Sequence, residues 1–82
     1  MGKVHFFYGI SIYLYFQDHN PPHIHAMYAE YEGLIRISDG ELFKGYLPKR
    51  QLLLVTQWMA EKGVRERLET LFYKMNPDLR RN

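Results

Sequence analysis

Ile10-Ser11-Ile12-Tyr13-Leu14-Tyr15-Phe16 alternates, with Ile10, Ile12, Leu14 and Phe16 on one face of an extended chain and Ser11, Tyr13, Tyr15 and Gln17 on the other. A period of two marks a strand with one drier side. Upstream, Val4 to Tyr8 is equally rich in aromatic and β-branched residues, and Gly9 marks a bend or bulge. This stretch reads as two short strands or one broken strand. Downstream, Pro21 and Pro22 lack the N–H that a sheet ladder needs, and Asn20 is pushed toward extended backbone, so 18–22 is a stiff connection. Alternation resumes at His23 and runs to Ser38, and Asp39-Gly40 between Ile37 and Leu42 predicts a two-residue hairpin into Glu41 to Leu47.

At Pro48 the period changes. Leu52, Val55 and Met59, with Leu54 and Trp58, recur at helical spacing, and Gly63 stands where a helix over 49–62 would stop. Val64, Leu68, Leu71, Phe72 and Met75 form a second stripe, ended by Asn76-Pro77, with Arg65, Glu66, Arg67 and Glu69 on the wet side. Strands first and helices after predict an α+β fold. The expected architecture is an antiparallel sheet of three to four strands over residues 4–47, with a two-helix hairpin over 49–75 packed on one face. No repeat or linker-like stretch divides the chain, which predicts a single domain over 1–82 with 77–82 as a flexible tail.

A chain of 82 residues buries only about 60–65% of its unfolded surface. With no cysteine it has neither disulfides nor thiolate metal sites to supplement the core. No stretch reaches the ~20 apolar residues of a membrane span, and Met1 to Phe7 lacks the layout of a signal peptide, so the expected location is the cytoplasm, without a membrane partner. A net charge of +2 permits nucleic-acid contact without demanding it. Aromatic residues make up 16%, most of which must be core or interface, so packing beneath the helices or at a homo-oligomer interface is the expected use of the tyrosines.

Chemistry concentrates in Asp18-His19-Asn20-Pro21-Pro22-His23-Ile24-His25, which holds three of the four histidines. Residues two apart on a strand share a side, so His23 and His25 can converge. If the proline connection folds back, His19 adds a third nitrogen and Asp18 a carboxylate ligand or an acceptor that fixes a tautomer. That set suits a divalent metal of the zinc type. Without a metal, His19, His23 and His25 are candidate acid and base groups for cleaving RNA, with Arg36 and Lys44 as cations for the phosphate. A two-residue hairpin sets Lys44 opposite Ile35 and Arg36 opposite Phe43, on opposite faces, so joint action requires a bulge. Tyr13, Tyr15, Tyr28 and Tyr46 could form a platform for bases. A purely structural reading stands beside these: Asp18 and Asn20 are turn formers, His25 lines up with Met27, Tyr31 and Ile35 on what reads as the buried face, and Trp58 is core.

The whole pattern resembles a group of short, mostly bacterial proteins, domain-of-unknown-function family 4160. The resemblance runs from Phe7-Tyr8-Gly9-Ile10, Ile12 and Tyr15-Phe16 through the unbroken motif at 18–25 and Tyr28 to Gly40, Gly45, Leu47-Pro48 and Trp58. It implies no reaction and assigns no catalytic residue. Genes of this family tend to lie beside a second small gene with DNA-binding character, a layout like that of a toxin–antitoxin pair. Three functions are therefore expected as alternatives: a toxin–antitoxin-like component acting on RNA or on the small protein encoded beside it, a small His-ligated metal-dependent enzyme, or a non-catalytic assembly module.

Overall fold

The computed structural model describes residues 2–16 and 18–79. Five strands form one antiparallel meander: β1 Gly2–Phe7, β2 Ile10–Leu14, β3 His23–Tyr28, β4 Tyr31–Arg36 and β5 Leu42–Gly45, each paired with its neighbour in sequence. Two helices follow, α1 Lys49–Met59 and α2 Val64–Met75. The fold is α+β as expected, but the sheet has five strands rather than three to four. Part of the excess is a turn that left no mark in the sequence. Tyr28 pairs with Tyr31 across a two-residue loop in which Ala29 takes φ 53°, a conformation that normally selects Gly or Asn. The Tyr8-Gly9 turn, with φ values of 51° and 77°, divides β1 from β2 at the bend that Gly9 marks.

Asp39-Gly40 does not make the two-residue hairpin predicted for it. Arg36 N–H donates to the Glu41 carbonyl at 2.8 Å, and Gly40 N–H to the Arg36 carbonyl at 2.8 Å, so the loop comprises residues 37–40. The loop is long because Ile37 is drawn into the core with no exposure while its N–H donates to the Pro22 carbonyl at 2.9 Å. A bulge between Leu34 and Ile35 then sets Lys44 opposite Leu34, not opposite Ile35.

Register sorts the two faces. Ile10, Ile12, Leu14, Ile24, Ala26 and Ile35 are fully buried and meet Val55, Trp58, Met59, Val64, Leu68 and Phe72 from the helices. Each large side chain so buried contributes ~1.5–3 kcal/mol. The opposite face carries Lys3, Phe6, Ser11, Tyr13, His25, Met27, Glu32, Leu34 and Lys44. His25 therefore shares a face with Met27 but not with Ile35, which corrects the expectation that it faces the core. Alternation in β2 ends at Leu14, and Phe16 beyond it is 60% exposed.

Helix α1 stops at Met59, three residues earlier than expected, and Gly63 at φ 82° opens α2. Of the expected tail, Pro77–Leu79 form a short 3-10 turn with Leu79 against the core, and 80–82 lie outside the described residues. No helix among the described residues is long and apolar enough to cross a membrane.

Candidate metal centre at the proline turn

The segment between β2 and β3 brings Asp18 back over the start of β3, and within it the Asn20–Pro21 bond is cis. Asp18 Oδ2 lies 3.1 Å from His23 Nε2 and 3.1 Å from His25 Nε2. The far nitrogen of each ring is also engaged. His23 Nδ1 is 2.7 Å from the Pro21 carbonyl oxygen, and His25 Nδ1 is 3.0 Å from Glu32 Oε2.

Four ring nitrogens thus face oxygens that, as carbonyl or carboxylate, only accept, whereas two neutral imidazoles carry one N–H each. A carbonyl is never a donor, so His23 Nδ1 holds a proton; in the neutral ring Nε2 then carries a lone pair, and in the imidazolium a second N–H beside Asp18. That nitrogen is buried and makes no hydrogen bond. Asp18 Oδ2 is near it but off the axis along which a ring N–H would point. His25 differs: both its nitrogens are in hydrogen-bond geometry with carboxylates, Nε2 with Asp18 Oδ2 at 3.1 Å and Nδ1 with Glu32 Oε2 at 3.0 Å, so the neutral ring donates to one of them and the imidazolium to both.

Asp18, His23 and His25 could together hold a metal ion. Ligands at about 2.0–2.2 Å from a shared ion lie about 2.9–3.4 Å apart along an edge, with their lone pairs aimed at the ion and not at each other. The two 3.1 Å nitrogen-to-oxygen separations fall in that range, and the three donor atoms lie within 4.8 Å of one another; an ion held by all three would replace the His25–Asp18 hydrogen bond and draw the donors slightly closer. Glu32 stands behind His25 at 3.0 Å, the position a carboxylate takes when it orients an imidazole that ligates through its other nitrogen.

Neighbouring elements hold this arrangement. The His23 side chain is 1% exposed, set between Phe43 at 5.4 Å and Phe72 at 5.8 Å between ring centres. The bulge in the β4–β5 pairing falls at Phe43, which packs edge-on against His23. Tyr15 packs edge-on against His25 at 4.4 Å. Partial burial, reinforced by Glu32, Tyr13 and Asp18, holds the Tyr15 phenol above its ordinary value. Asn76 just beyond α2 pins the segment from below: its Oδ1 accepts the Asp18 N–H at 2.7 Å, and its Nδ2 donates to the Tyr15 carbonyl at 2.9 Å and the Phe72 carbonyl at 3.0 Å.

Of the residues singled out from the sequence, the structure gathers Asp18, His23 and His25. His19 stands at the rim, 85% exposed, with Nδ1 3.8 Å from Asp18 Oδ1 and its ring 6.2 Å from that of His23, outside the set of converging donors. Tyr28 is elsewhere, its ring against Gly9 at the β1–β2 turn, and Tyr46 packs on Tyr31. Arg36 and Lys44 share the histidine face because of the bulge, which overturns their expected placement on opposite faces. Arg36 is engaged by Asp39, with bonds of 3.0 and 2.9 Å. The guanidinium, and after it the Glu41 N–H, hold the Asp39 carboxyl below its ordinary value, and Asp39 in turn raises Arg36. Trp58 is core, stacked on His5 at 4.5 Å. Sequence reasoning missed Glu32, Phe43 and Asn76.

The sequence model of the family described as Domain of unknown function (DUF4160) matches residues 9–68, which include the three converging residues and Glu32 but not Asn76. No curated protein and no solved structure matches the chain.

Proposed function

This chain belongs to the DUF4160 family, and because membership supplies no reaction, we propose from the site itself that the protein is a small metal-dependent hydrolytic enzyme. Its divalent ion is held by Asp18 Oδ2, His23 Nε2 and His25 Nε2. The supporting observation is the buried His23 Nε2, which makes no hydrogen bond beside a carboxylate while the Pro21 carbonyl holds the ring's other nitrogen as the donor. A buried polar atom without a partner costs about 1–3 kcal/mol, a burden that a bound ion removes.

A zinc-type ion in this donor set supplies a Lewis acid and an acidified water. Pro21 and Glu32 hold the two rings in the tautomers that present Nε2, and Asn76 fixes the backbone from which Asp18 projects. His19, exposed at the rim near Asp18 Oδ1, is the group available to carry a proton to or from a substrate.

Metal analysis of the untagged protein tests this reading. One equivalent of a divalent transition metal is expected, lost on treatment with chelator and absent from His23→Ala. A metal-free protein with no affinity for added zinc, nickel or manganese overturns it and leaves Asp18, His23 and His25 as an ion-paired polar cluster.

A further inference from the structure

One line of residues crosses the whole sheet through the proposed centre. Register pairs Lys3 with Tyr13, Tyr13 with His25, His25 with Leu34 and Leu34 with Lys44, so the row Lys3–Tyr13–His25–Leu34–Lys44 takes one residue from each strand. All five are on the face that the helices leave open. Four strand spacings separate the ends of the row by about 19 Å. An exposed lysine stands at each end, and Lys44 has no ion-pair partner among the described residues. The Lys3 ammonium lies over two rings, 5.0 Å from the centre of Phe6 and 6.0 Å from that of Tyr13. Tyr13 is stacked with Tyr15 at 10° between planes, and Tyr15 reaches His25.

Such a row alternates positive charge with flat aromatic surface: a cation, stacked rings, the metal position, then a second cation. The ligand that repeats negative charge and planar groups along a line is a single-stranded polynucleotide. We infer that the open face binds single-stranded nucleic acid across the strands. Bases stack on Phe6, Tyr13 and Tyr15, flanking phosphates meet Lys3 and Lys44, and one phosphodiester lies over His25.

This inference rests on the metal reading at one point only. Asp18 and Glu32 make the centre negative without an ion, so a phosphate approaches His25 more readily once a divalent ion has offset that charge and offers it a cation to face. A second copy of the chain is a poorer occupant, because unpaired lysines at both ends of the row would be buried against themselves in a symmetric contact. A regular duplex is poorer still, since its bases are stacked inside and offer the tyrosines no faces.

Fluorescence anisotropy with labelled oligo-U RNA, oligo-dT DNA and a duplex of equal length tests the inference, using zinc-loaded and chelator-treated full-length protein. Both single strands should bind the zinc-loaded protein more tightly than the duplex does, and RNA against DNA tells which sugar is preferred. Phe6→Ala/Tyr13→Ala should weaken binding about 5- to 100-fold, the loss of a stacked base or more. Lys3→Gln/Lys44→Gln should flatten the dependence of log K on log salt by about 1.4, two phosphate contacts' worth. None of the four residues is itself a proposed ligand, so metal content, measured for each variant, should stay at the wild-type value, and circular dichroism verifies the fold.

Absence of saturable single-strand binding by zinc-loaded wild type overturns the inference. So does binding that both double variants leave intact, or a loss of self-association in the variants without any change toward oligonucleotide. Row-dependent binding by a protein that takes up no metal supports the inference and overturns the metal reading alone.

Discussion

Asn76 Oδ1 accepts the backbone N–H of Asp18 at 2.7 Å across 58 positions of sequence. The same amide donates from Nδ2 to the carbonyls of Tyr15 and Phe72, so one buried side chain ties the exit of β2 to the end of α2. The carboxylate at the centre of the histidine cluster is thereby positioned by a residue beyond the second helix.

Replacing Asn76 with Ala strands the Asp18 N–H and the Tyr15 carbonyl beneath α2. Urea unfolding of Asn76→Ala should show a loss of about 2–4 kcal/mol. Metal affinity measured in the same protein should fall as well, since Asp18 loses its anchor.

Glu32 is 46% exposed and contacts the centre only through His25 Nδ1. Glu32→Gln should therefore leave thermal stability within about 0.5 kcal/mol of wild type. In competition with a chelating dye, its zinc affinity should drop about 10- to 100-fold, the usual effect of altering a group behind a ligating imidazole. His25→Ala, which removes the ligand itself, should lose more.

Asp39 provides an acid-side signature separate from the centre. Its carboxyl is held below the ordinary value of 3.8 by Arg36 and by the Glu41 N–H. A depressed folded value means that its stabilising contribution is complete above the unfolded pKa and disappears as pH falls through the folded one. Carboxyl chemical shifts should show Asp39 titrating below the ordinary aspartate range, and Arg36→Gln should return it toward that range.

Gly45 stands at φ 80° on the edge strand, and a Cβ there would run into the Glu32 carbonyl oxygen. Relief would have to come from main chain rather than from a flexible side chain. Gly45→Ala should destabilise the protein by about 2 kcal/mol or more in thermal or urea unfolding, with the β4–β5 amides losing exchange protection first.

The toxin–antitoxin-like role that the family resemblance suggests makes its own demand on these residues. Under that role, induction of the wild-type chain in a bacterial host arrests growth. An equally soluble His23→Ala/His25→Ala variant does not. Growth that continues with both proteins removes the toxin half of that role and leaves the antitoxin side.

Where burial and period agree, the structure could be read from sequence. Ile10, Ile12 and Leu14 alternate and are fully buried, and the stripes of Val55 and Trp58, then Val64, Leu68 and Phe72, mark both helices. The turn at Ala29-Glu30 could not be found this way, because its positive φ falls on a residue that gives no signal for it. The loop at Asp39-Gly40 was located but mis-sized, since Ile37 is recruited by the core and by the Pro22 carbonyl from another segment. The candidate site divides along the same line. Asp18, His23 and His25 are close in sequence and stand out together. Glu32 reaches His25 only through the unread turn, and Asn76 before Pro77 looks like an ordinary helix stop.

Every strand of the sheet pairs with the one next to it in sequence, so the meander can assemble from contacts that are short along the chain, the circumstance that favours rapid folding. The link from Asn76 to Asp18 is of another kind. On the ribosome the strands can pair while α2 is still being made, but Asp18 gains its anchor only after residue 76 has emerged. The nascent sheet therefore carries its histidines before their carboxylate neighbour is fixed, and on the metal reading proposed above an ion could be held in full only once both helices have been made.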